Sequence, residues 1–284
     1  MPTDAPSCAP SAAPVQASDW APGRDASPIT VDAFLGGAVE IEQPAKGYRA
    51  GLDAVLLAAS ARDVQSGHGL PMRILDVGAG VGTAGLCLAT RLENADVTLV
   101  ERDPELSRLA AANVARNGLA DRARVVTADV LAPVGVTATD RLEEASFDVA
   151  ISNPPYLTHG RHRPSANALK AASHAMPPDG LDRWLRFMAR MTRPGATVLM
   201  IHRADSLEAL LTALSGRFGD VLILPLHPRD DAPASRVLVR ATKASRAPLA
   251  IAPGRVLHEG DGAFRPEIKA VLTAPRAFSW MAAE

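Results

Sequence analysis

A chain of 284 residues that is 47% hydrophobic, 21% charged and 4% aromatic has the make-up of a globular enzyme with an aliphatic core, long enough for one large domain or two small ones. No apolar run reaches about 18 residues, which argues against a membrane-spanning helix. The two cysteines, Cys8 and Cys87, lie far apart, which argues against a disulfide or zinc framework and fits a reducing cytosol. The net charge of -1 hides an asymmetry: residues 1–156 carry 12 Lys/Arg and 20 Asp/Glu, and residues 157–284 carry 18 and 11. Chance distribution over a solvated surface explains this as well as a basic face for a polyanion does.

Residues 1–29 hold six prolines and no apolar period. They read as a disordered tail, without the continuous apolar core of a signal peptide. Ala38–Glu42 alternates like a strand, and Leu52 to Arg62 reads as a helix. Strand and helix then alternate. Strands are expected at Arg73–Val77, Val97–Glu101, Arg124–Thr127, Phe147–Ile151 and Thr197–Ile201. Helices are expected at Thr83–Leu92, Pro104–Asn117, Leu181–Met191 and Leu207–Leu214. Val221–Leu224 and Val237–Arg240 close the pattern as a strand pair. Such alternation argues a mostly parallel sheet covered by helices on both faces.

Two motifs carry chemistry. The first is Asp76-Val77-Gly78-Ala79-Gly80-Val81-Gly82, between a strand and a helix. Glycines there let backbone approach a ligand without a Cβ clash. Dinucleotide folds space them G-x-G-x-x-G, with a pyrophosphate on the helix N-terminus. Here the spacing is G-x-G-x-G, and Asp76 ends the strand. A carboxylate suits a cationic, amino-bearing ligand better than a phosphate, which favours S-adenosylmethionine. Glu101, beside Arg102, ends the next strand, where a carboxylate can accept both ribose hydroxyls. Asp129 follows the third and could accept from an adenine amino group with Val130 against the ring, or simply cap a helix or turn.

The second motif is Ser152-Asn153-Pro154-Pro155-Tyr156. Neither proline can donate to a sheet ladder, so the strand stops in a stiff loop. That loop lies at the strand's C-terminal edge, where ligands of open α/β sheets bind. The Asn153 side-chain oxygen and the Pro154 carbonyl can accept the two hydrogens of a planar amino group, and Tyr156 can stack on a base.

Together these motifs resemble the class I methyltransferases that modify planar amino nitrogens. The segment Gln43 to Ala59, which contains Tyr48-Arg49-Ala50-Gly51-Leu52-Asp53, is similar to that of bacterial tRNA(Val) adenine-N6 methyltransferases. The resemblance implies a Rossmann-like α/β fold: a seven-stranded, mostly parallel sheet with helices on both faces and a C-terminal antiparallel strand pair. It implies one methyltransferase domain over residues 30–284, with residues 30–62 covering the cofactor site and Tyr48, Arg49 and Asp53 near the methionine end. It further implies S-adenosylmethionine as cofactor, tRNA as partner, no metal, no membrane, and a cytoplasmic location. A protein glutamine-N5 acceptor and a ribosomal RNA guanine-N2 acceptor stay open, since the same loop serves any planar nitrogen. Against the glutamine enzymes, the region ahead of Ile74 is short and strand-like where theirs is a helical domain. Arg161, Arg163 and Arg236 are candidate phosphate contacts. His159, His162 and His174 have no metal-ligand spacing.

Overall fold

The computed structural model describes residues 28–46, 49–61, 70–133, 142–155 and 176–281. It opens on an antiparallel hairpin, β1 (Ile29–Phe34) and β2 (Val39–Pro44), joined by a tight 3-10 turn. Helix α1 (Leu52–Ser60) follows, then β3 (Met72–Val77), α2 (Thr83–Arg91), β4 (Ala95–Glu101), α3 (Pro104–Arg116), β5 (Ala123–Thr127) and β6 (Phe147–Ser152). The second half runs α4 (Gly180–Met191), β7 (Thr192–Arg203), α5 (Leu207–Leu214), β8 (Phe218–His227) and β9 (Arg236–Lys243). Two short strands, β10 (Ala250–Ile251) and β11 (Arg255–Val256), and helix α6 (Pro266–Thr273) complete it. Among the described residues no helix is long and apolar enough to cross a membrane.

The main sheet has the order β10-β8-β9-β7-β6-β3-β4-β5, with β11 also on β8. Strands β3 to β7 pair in parallel, and β9 runs antiparallel to both β7 and β8. This is the expected seven-stranded sheet and terminal antiparallel pair. Two additions, β10 and β11, lie parallel to β8; at two residues each they are too short to leave a periodic signal. Ile29, assigned to the tail by composition, opens β1.

Alternation along the strands builds two cores. On β3, Ile74 joins the core beneath α1, α2 and α3, while Leu75 and Val77 face the core beneath α4 and α5. On β7, Leu199 and Ile201 take the first side, and Val198 and Met200 the second. Helix α4 is amphipathic: Leu181, Trp184, Leu185, Met188 and Met191 are buried at three- and four-residue spacing. Helix α3 starts where Asp103 caps the N–H groups of Glu105 and Leu106 with Pro104 in the first turn. It ends before Gly118, which has φ +65°.

The hairpin inverts the usual pattern. Thr30 and Asp32 of β1 are half-buried while Ile29 and Val31 are exposed. The reason is polar: Asp32 accepts from Gln43 and Arg49, each at 2.5 Å, and Thr30 accepts from Arg49 at 2.9 Å. Helix α3 holds β2 through two asparagines one turn apart. Asn117 bonds both backbone groups of Glu40, and Asn113 both of Glu42. Asn113 also donates to the carbonyl of Val81 at 3.0 Å, tying the hairpin to the glycine loop. Asn113→Ala therefore strands several buried backbone groups, and an unsatisfied one costs about 1–3 kcal/mol. The expected result is a denaturant midpoint shifted by about 2–3 kcal/mol of stability; an unshifted midpoint would show the clamp to be dispensable.

The C-terminal segment closes α1. Phe278 N–H donates to the Ala59 carbonyl at 2.6 Å, and the Trp280 indole to that of Ser60 at 2.7 Å. These bonds satisfy carbonyls that a helix end leaves open.

Candidate active site

The strand order reverses between β3 and β6, and a crevice at such a switch point is where open α/β sheets bind ligands. Register places Asp76 beside Ile151 of β6 and Leu99 of β4. The glycine loop therefore emerges next to the end of β6, one residue before Asn153. Gly78, Gly80 and Gly82 have φ of +72°, +58° and +88°, a left-handed run that side chains rarely adopt. The loop is pinned to β4: Gly78 and Ala79 N–H both donate to the Val100 carbonyl at 2.9 Å. A Cβ on Gly78 would meet the Trp184 ring at 2.7 Å, and one on Gly85 would clash with Leu99.

The acidic strand ends have distinct partners. Asp76 is buried and accepts from Gly85 N–H at 2.9 Å. Burial pushes its pKa up to about 7, with the Gly85 bond opposing and the Glu101 charge adding. Glu101 is buried too. One oxygen accepts from Gly80 N–H at 2.8 Å and the other from Asp103 N–H at 2.9 Å. An ionised carboxylate has about four acceptor sites, so each oxygen keeps capacity for a further donor while the backbone fixes its orientation. Asp129 caps the turn after β5, accepting from Leu131 N–H at 2.8 Å; Val130 in that turn is half-buried. Arg102 is exposed, in the turn between Glu101 and the α3 cap.

Thr83 opens α2 directly after the loop. Its hydroxyl is buried with no hydrogen-bond partner, a site that suits a polar ligand and that no spacing rule singled out. At the acceptor loop, Asn153 and Pro155 are half-buried and Pro154 is buried. Ser152, the last residue of β6, is fully buried and donates to the Val77 carbonyl at 2.7 Å. Trp184 Nε1 donates to Ser152 Oγ at 3.0 Å. In sequence Ser152 is only the first residue of the Ser-Asn-Pro-Pro-Tyr motif, given no role there, and Trp184 reads as an ordinary helix position.

In the segment between β2 and α1, Arg49 and Asp53 have separate and distant partners. Arg49 bonds Asp32, Thr30 and the Pro44 carbonyl, so it locks the chain after β2 to the hairpin. Asp53 pairs with Arg236 at 2.9 Å, across α1 and β9. Arg236 is thus engaged within the fold, where a phosphate contact had been expected. Arg190 and Arg193 likewise pair with Glu144 and Asp148. Part of the charge asymmetry between the halves is therefore internal pairing, which weakens the case for a basic face. Tyr48, Tyr156, His159, Arg161, His162, Arg163 and His174 lie outside the described residues.

Comparison with known proteins agrees with this geometry. The family model "Methyltransferase small domain" matches residues 59–191. A Porphyromonas gingivalis protein named tRNA1(Val) (adenine(37)-N6)-methyltransferase is 27% identical over 245 residues, 84% of this chain and 92% of the relative. A Bacteroides thetaiotaomicron protein of the same name is 34% identical over 170 residues, 59% of this chain and 65% of the relative. The crystal structure of a predicted O-methyltransferase from Agrobacterium tumefaciens is 30% identical with a TM-score of 0.65, covering 80% of this chain and 98% of that one. The glycine loop at the switch point, the acidic strand ends and these matches agree: the chain belongs to the S-adenosylmethionine-dependent methyltransferases, with the Rossmann-like fold of class I.

Proposed function

We propose that this protein is an S-adenosylmethionine-dependent N-methyltransferase that modifies the exocyclic N6 amine of an adenine in tRNA, near the anticodon. The observation that carries this reading is the placement of Asn153-Pro154-Pro155 beside the glycine loop at the switch point. The relatives named for that reaction support the acceptor.

The residues present fit the cofactor. Glu101 retains acceptor capacity for ribose hydroxyls, Thr83 Oγ1 is buried without a partner, and Asp76, once ionised, supplies buried negative charge under the loop. When bound, S-adenosylmethionine supplies an electrophilic methyl on a sulfonium. The chain's own residues prepare the acceptor. An adenine amino group is a poor nucleophile because its lone pair is conjugated into the ring. Asn153 Oδ1 and the Pro154 carbonyl accept its two hydrogens, fix the group in line and raise electron density on nitrogen. This is positioning with electrostatic stabilisation. Tyr156 stacks on the base, and a tRNA anticodon loop presents bases already unpaired, so extrusion costs little.

The test is methyl transfer from labelled cofactor to unmodified tRNA, read by nucleoside mass spectrometry, with a glutamine-containing release factor in parallel. N6-methyladenosine is the expected product. Label in the protein and in no RNA would transfer the assignment to glutamine-N5 chemistry.

A pH dependence follows from Asp76. With its pKa near 7, the carboxyl holds a proton below that pH, and a cationic ligand favours the ionised form. Binding must then expel the proton. Cofactor affinity should fall as pH drops below 7, by up to about tenfold per unit, and level off above it. Calorimetry across pH 5.5–8.5 checks this, and Asp76→Asn should flatten the profile. A flat wild-type profile would remove Asp76 from the electrostatics of binding.

A further inference from the structure

We infer that Trp184 and Ser152 form a positioning pair that sets the acceptor loop against the glycine loop; this rests on the methyltransferase reading above. The indole N–H of Trp184 donates to Ser152 Oγ at 3.0 Å, and that hydroxyl donates onward to the Val77 carbonyl at 2.7 Å. A hydroxyl has one proton, so the direction of the chain is set: α4 to β6 to β3. All three residues are buried. Ser152 immediately precedes Asn153, and Val77 immediately precedes Gly78. The bond between them therefore ties the last residues of the two strands that carry the acceptor and cofactor loops.

Trp184 makes a second contact with the same junction. Its ring lies where a Cβ on Gly78 would come within 2.7 Å. One indole thus bonds the β6 terminus through its N–H and packs its six-membered ring beside the glycine loop. Gly78 meets the ring too closely to move toward it without moving Trp184, and Trp184 is bonded to the residue before Asn153. The bonding is specific as well as dense: an orphaned donor or acceptor here has no water to turn to. Misplacement by about 1 Å costs a reaction about 100-fold, so a fixed offset between the two loops bears on turnover more than on either ligand's affinity.

Trp184→Phe keeps an aromatic ring but removes both the indole N–H and the outer ring carbons nearest Gly78, so Ser152→Ala is the variant that isolates the hydrogen bonds. Ser152→Ala removes both hydrogen bonds. For each, kcat should fall about tenfold or more, while KM for the cofactor stays within about threefold and melting shows a folded chain at assay temperature. The double variant should be no slower than the worse single variant, because both act on one chain of bonds. Single variants within twofold of wild-type kcat, or losses that multiply in the double variant, would reduce the pair to core packing and overturn the inference. An acceptor-free arm uses tryptophan emission: S-adenosylhomocysteine should change it in the wild type, and Trp184→Phe should abolish the change. The same change in both proteins would also overturn it. Absence of wild-type transfer to tRNA and to protein would count against the proposed function, and the emission arm would still decide the pairing.

Discussion

Asn153→Ala is expected to lower turnover by about 100-fold or more, the scale of losing one preorganised polar group. The side chain sits at the end of β6, half-buried, and no described residue uses its amide in a hydrogen bond. It is therefore available to a substrate and contributes little to holding the loop, which Ser152 and the two prolines fix. Removing it takes an acceptor from the transition state and leaves the ribose and adenine contacts of the cofactor alone. Affinity for S-adenosylhomocysteine should stay within a few-fold by calorimetry. Single-turnover methyl transfer is the deciding measurement. A variant near the wild-type rate would make the Asn-Pro-Pro-Tyr loop structural and refute the mechanism.

Glu101→Ala is expected to weaken S-adenosylhomocysteine binding by about 1.5–3 kcal/mol, the scale of charge-assisted hydrogen bonds, or about 10- to 150-fold. Two effects combine. The ribose loses its acceptor, and the N–H groups of Gly80 and Asp103 lose theirs. The second effect loosens the glycine loop and the α3 cap at once. Glu101→Gln separates the effects: the amide keeps one oxygen for one backbone N–H but presents an NH2 to the other. It should bind more tightly than the alanine variant and more weakly than the wild type. Calorimetry with unchanged affinity in the alanine variant would take Glu101 out of the site.

Much of the sheet was legible because periodicity reports burial. Buried strands such as Arg73–Val77 and Phe147–Ile151 are short apolar runs bounded by turn signals, and they appear with the expected ends to within about a residue or two. The elements that escaped notice lack that signal. Strand β1 faces its polar residues inward onto Gln43 and Arg49, so its alternation is inverted. Strands β10 and β11 exist because β8 offers an open edge, and α6 is a short helix with only Ile268 and Val271 buried.

For the proposed site, the residue types and their order along the chain single out Asp76, the glycines, Glu101 and Asn153 as candidates. Backbone conformation at Gly78, Gly80 and Gly82, and a strand stopped by Pro154 and Pro155, are local consequences of residue type. Partnership is not local. That Arg49 pairs with Asp32 and Asp53 with Arg236 depends on how α1 lies between the hairpin and β9. That burial pushes the Asp76 pKa up to about 7, against the Gly85 bond from α2, depends on how the sheet edge is packed. That Trp184 and Ser152 meet depends on α4 packing over the second face of the sheet. Sequence by itself determined which buried strands form, where the chain must turn after them, and which side chains are candidates for the chemistry. Tertiary structure alone decided which charges neutralise each other and which polar groups are buried together, because those energies depend on desolvation and distances that pack residues tens to hundreds of positions apart.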